Sequence, residues 1–137
     1  MWKRTLLCVL CLSFVSPFLI AEEESSAVVQ DDYHYFAIEP DIISNYVKPG
    51  SRIGFMRLTV ELMTNSKINI ALLEKNEPLI RDKIMTILGE QTEESVKSIS
   101  KREGIRLRCL DEVNAVLYDE TGKKPVTDLF FTKYLYQ

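Results

Sequence analysis

Histidine occurs once in the 137 residues, at His34, and tryptophan once, at Trp2. Cysteine occurs three times, and beyond residue 11 it is found only at Cys109. These scarcities remove much chemistry. Beyond residue 21 there is no CxxC, no HxxxH and no acidic loop with EF-hand spacing, so the common zinc and calcium ligand sets have no counterpart. No Gly-rich phosphate cradle exists among the five glycines. The nearest approach, "KPGSRIG" at 48–54, reads as a hairpin turn rather than an anion nest. A basic surplus is also missing. Net charge is −3, so no positive field invites nucleic acid. A nucleophilic site would have to be built from His34 and Cys109. They fall in segments of different kind, one reading as a strand surface and the other as a buried helix stripe. Neither enzyme activity nor a cofactor is expected.

What remains is ordinary globular material, 46% hydrophobic and 27% charged, with room for one domain. The first 21 residues stand apart. "MWKR" is a basic start, and Thr5 to Ala21 carries no charge. Leu6, Leu7, Val9, Leu10, Leu12, Phe14, Val15, Phe18, Leu19 and Ile20 give it the apolar core of a signal peptide or a signal anchor. The run is short against the roughly 20 residues of a spanning helix, and Pro17 interrupts it. Both readings export the rest of the chain, because Lys3 and Arg4 hold the N-terminus inside. Removing residues 1–21 leaves 15 basic and 20 acidic residues, a net of −5. It also leaves Cys109 without an intrachain partner, so the domain must be held by its core. Residues 22–32, "EEESSAVVQDD", read as an acidic linker, with the domain over 33–137.

Within that domain, Tyr33 to Val47 predicts an edge strand at 33–38 and a second extended piece at 42–47, separated by Pro40. At 54–64, Met56, Leu58, Val60 and Leu62 alternate with Arg57, Thr59 and Glu61, which places the apolar set on one buried face. From Lys67 the period becomes helical. Pro78 marks a restart, Ile80, Ile84, Ile87 and Leu88 form one stripe, and Gly89 is expected to stop it. Thr92 caps a second helix with Val96 and Ile99 facing the core. That helix is expected to break at Gly104 and resume through Leu107, Leu110, Val113, Val116 and Leu117. Val126 to Tyr136 is apolar on both faces and predicts an interior strand. The order β-β-α-α-β defines an α+β domain: an antiparallel-type sheet of about three strands with two helices on one face, behind an N-terminal apolar helix.

Four segments in this order carry a likeness. "FMRLTVELM" at Phe55–Met63, Pro78–Leu88 with Thr92–Val96, Leu107–Leu117 including Asn114, and "VTDLFFTKYLYQ" at Val126–Gln137 resemble the FliL family of flagellar basal-body-associated proteins. The resemblance covers roughly residues 33–137. It implies a core domain like that of stomatin-type proteins, in the periplasm, on a single inner-membrane helix with its N-terminus inside. It implies partners in the flagellar stator and basal body, a homo-oligomeric ring, and support of rotation, swimming or swarming motility and chemotaxis without catalysis. This chain departs at its start, with four residues before a short proline-bearing run. If residues 1–21 are cleaved, the domain becomes a free periplasmic binding or adaptor module. Tyr33, Tyr35 and Ile38 on the hairpin edge, with Arg102, Arg106 and Arg108 on a charged helix, are the expected contact surface.

Overall fold

The computed structural model describes residues 32–50 and 52–137. The signal or anchor at 1–21 and nearly all of the linker therefore lie outside the described residues. Two strands come first, β1 at His34–Val47 and β2 at Ile53–Thr64. Four helices come next: α1 at Lys67–Lys75, α2 at Glu77–Gly89, α3 at Glu93–Lys97 and α4 at Ile99–Thr121. The last element is β3 at Asp128–Tyr136. The strands form one antiparallel sheet in the order β1-β2-β3.

The period-two segment behaves as its pattern requires. Along β2, Met56, Leu58, Val60 and Leu62 are fully buried, while Arg57 is exposed. The two extended pieces expected over 33–47 are a single strand. Its pairing with β2 shifts between Ile38 and Ile42, so Glu39, Pro40 and Asp41 form an irregularity rather than a break. Pro40 has no N–H to give to a ladder, and a bulge is where a strand tolerates that loss. At the hairpin end, Tyr46 is paired with Gly54. A Cβ on Gly54 would come within 2.1 Å of the Tyr46 ring, so the ring lies where a side chain would stand. Its hydroxyl donates to the Gln137 carbonyl at 3.0 Å, tying the hairpin to the segment that follows β3.

The helices cover one face. α2 packs against β1 and α4 against β3. Pro78 sits in the first turn of α2, after Asn76 at the N-cap position, and Ile80, Ile84, Ile87 and Leu88 are buried as the stripe predicts. The helix ends at Gly89 as expected, but without a left-handed turn: Glu90 follows it at φ −80, ψ −9, in the right-handed region. Thr92 caps α3 through a reciprocal box with Ser95, whose hydroxyl accepts from the Thr92 N–H at 3.0 Å.

Three expectations about the next helix fail. The break falls at Ser98, which is extended with ψ 120, and not at Gly104. The Ser98 hydroxyl accepts from the Lys101 N–H, so serine is more useful as a cap there than inside a helix. Gly104 is exposed within α4 and the helix runs through it. Starting a new helix at Ser98 also turns Ile99 out to solvent, where it is 81% exposed. The true stripe of α4 is Ile105, Cys109, Val113 and Leu117, spaced by four; Leu107 points outward. Gly122 ends α4 with φ 71, a left-handed cap that glycine reaches without strain.

The terminal strand is also corrected. It does not lie in the interior of the sheet: β2 does, and β3 is an edge. Its apolar residues divide between two faces. Leu129 is buried, Phe131 and Tyr134 pack against the core, and Leu135 is exposed on the opposite side.

Candidate interaction surface

Among the described residues no helix lies over the second face of the sheet. Tyr35, Ile43 and Val47 from β1, Ile53 and Phe55 from β2, and Leu135 from β3 are each between 50 and 60% exposed. Pairing explains why they gather. Val47 lies opposite Ile53, and Ile43 and Leu135 flank Arg57 on either side. Each therefore points away from the helices, in phase with Arg57. Ile43, Phe55, Arg57, Leu135 and Gln137 line a groove of about 360 Å³ across the three strands.

Beside the groove lies a polar junction. The Asp41 carboxylate accepts from Arg57 Nε and from the Thr59 hydroxyl, both at 2.7 Å, and Lys133 Nζ is 3.5 Å away. The Thr59 hydrogen bond, then that of Arg57, holds the Asp41 carboxyl below the usual carboxylate range. Two cations thus share one carboxylate. Beyond the junction the face turns apolar again, where the Tyr35 and Phe130 rings meet at 6.4 Å. Exposed apolar side chains thus gather on this face on both sides of the junction.

The residues expected to form a contact surface separate into three groups. Tyr33, Tyr35 and Arg108 are exposed. Arg108 pairs with Glu90 at 2.6 Å. Ile38 is buried, because it pairs with Val60 on the helix-covered side of the sheet. Arg102 and Arg106 are latches between α4 and β3 rather than free surface. The Arg102 guanidinium lies 4.0 Å over the Tyr134 ring. Arg106 bonds the carboxylates of Glu103 and Asp128 and the Leu129 carbonyl, and the first of these contributes most to raising its pKa. A third latch is Asn114, whose side chain donates to the Val126 carbonyl at 2.8 Å and accepts from the Val126 N–H at 3.1 Å.

Sequence reasoning missed the groove. The signal was present in β2, where Ile53 and Phe55 share the phase of Arg57 and Thr59 rather than that of Met56. The nucleophile candidates fare differently. Cys109 is fully buried, and desolvation pushes its thiol up to about 12, far from a reactive thiolate. His34 Nε2 lies 3.3 Å from the Asp32 carboxylate at the start of β1. Among the described residues no three His, Cys, Asp or Glu side chains gather where a metal ion would sit. None of the helices described is long and apolar enough to cross a membrane.

The described residues form a small α+β domain whose sheet carries helices on one face and an open apolar groove on the other. The family model described as flagellar basal body-associated protein FliL matches residues 35–137, and the chain belongs to that family. It is similar to a protein called "Flagellar protein FliL" from Aquifex aeolicus (strain VF5), with 26% identity over 102 residues. That match takes in 74% of this chain and 60% of the relative, so the chain spans about three-fifths of the relative's length.

Proposed function

We propose that this protein is a non-enzymatic component of the flagellar motor. It assembles beside the torque-generating stator as a homo-oligomer and supports rotation under load, and with it swimming, swarming and chemotaxis. The domain stands in the periplasm, tethered by residues 1–21 to the inner membrane. The observation that carries the reading is the family match over residues 35–137, nearly the whole described domain. The open sheet face supports it, since a scaffold needs surface for its neighbours.

The test is a clean deletion of the gene, with single cells tracked in medium of rising viscosity and filaments counted in the same cells. The expected result is normal filament number with speed falling faster than in the parent. Unchanged speed at every load, in cells without a second family member, would leave a periplasmic adaptor whose work lies outside rotation.

A further inference from the structure

The groove on the open face is matched by a segment of this chain that lies almost wholly outside the described residues. Residues 22–32 contain an apolar triplet, Ala27-Val28-Val29, flanked by Glu22, Glu23 and Glu24 on one side and Asp31 and Asp32 on the other. A solvated tether has no use for adjacent valines. The groove offers the complement. Its walls are Ile43, Phe55 and Leu135, and beside it stand Arg57 and Lys133, which share the Asp41 carboxylate. Lys48 and Arg52 add positive charge at the hairpin tip.

Reach decides whose segment fills it. Val28 precedes Asp32 by four residues, so it lies at most about 14 Å from the start of the described chain. Ile43 is nine residues beyond His34 along β1, about 30 Å away at the rise of a strand. A chain folding back on itself therefore stops far short of its own groove. We propose that the Ala27–Val29 segment of one copy docks in the sheet-face groove of another, with its flanking acids against Arg57 and Lys133. One segment and one groove per copy make the contact heterologous, a geometry that extends into a chain of copies or closes into a ring. The alternative of joining strand edges is opposed by the bulges: β1 is irregular between Ile38 and Ile42, with Pro40 inside, and β3 between Phe131 and Lys133. Docking of this kind does not depend on a role in the motor.

The full chain with Cys8 and Cys11 replaced by serine tests it. One tagged copy carries V28C and a second, differently tagged copy carries F55C or, as an independent position, L135C. Cys109 is buried and does not compete. Mild oxidation of the mixture is expected to give a disulfide-linked mixed dimer. The product is expected to vanish when the second cysteine is moved to exposed Glu120 on α4 (E120C), and to fall severalfold when Arg57→Glu is added. Three results would overturn the proposal. The first is no mixed dimer at either position while both variants keep the parent's circular dichroism and melting temperature. The second is F55C joining only F55C, which makes a second sheet face the occupant. The third is V28C and F55C placed in one chain closing within that chain.

Discussion

Strand β2 carries two messages, one on each face. Gly54, Met56, Leu58, Val60, Leu62 and Thr64 are buried under the helices. Ile53, Phe55 and Arg57 look the other way, and Phe55 and Arg57 line the open groove. The first face is saturated: its side chains meet Ile84, Ile87 and Leu117 in one continuous core. The second is unfinished: apolar side chains of similar size lie on it half exposed. Similar residues thus do different work, and the difference is set by which side of a single strand they occupy. Side chains on the covered face hold the fold, and those on the open face are available for contact.

The sharpest way to test this contrast is truncation on the covered face. Leu58→Ala is expected to cost about 2–5 kcal/mol, because it removes buried surface and leaves a cavity. Urea unfolding of the domain would show it. Filling space on the same face comes next. Gly54→Val has to displace the Tyr46 ring and break its hydrogen bond to Gln137, an overpacking cost of about 1–3 kcal/mol read by the same titration. Asn114→Ala leaves both polar groups of Val126 without their partner, and a loss of about 1–3 kcal/mol is expected in thermal melts.

The smallest effect falls on the open face. The Asp41 carboxyl is held low in the folded protein by Thr59 and Arg57, so its folded pKa lies below the unfolded value of about 3.9. Its contribution to stability is therefore present above about pH 4 and is lost as pH falls through the folded pKa. Asp41→Asn is expected to lower stability slightly at pH 7, to match the parent once pH falls below the folded pKa, and so to flatten the acid limb of a stability–pH profile. An acid limb identical to the parent's would remove the junction from the account.

Local features were legible in the sequence because they are written in neighbouring residues. The alternation of β2, the stripe from Ile80 to Leu88, the placement of Pro78 and the Thr92 cap all rest on contacts within a few positions. Features that depend on distant partners were not. Nothing within Val126–Tyr136 says whether the strand has one neighbour or two; its pairing with β2 alone is settled by residues about 70 positions earlier. The burial of Ile38 was hidden for the same reason, since its phase is fixed by Val60 across the ladder. Ser98 and Gly104 show a local competition decided by tertiary context: glycine is tolerated on an exposed helix face, while serine finds an N–H to cap. Of the open face, only Phe55 and Ile53 in the polar phase of β2 gave a sign.

As proposed, the open face is the working surface of a protein whose fold is complete without it. Swimming speed at high viscosity in cells whose chromosomal copy carries Phe55→Asp tests this most directly, provided the protein is as abundant as the parent's. The predicted result is speed as low as in the deletion strain, with a urea midpoint within about 0.5 kcal/mol of the parent in equivalent stability. Parental speed at every load would contradict it.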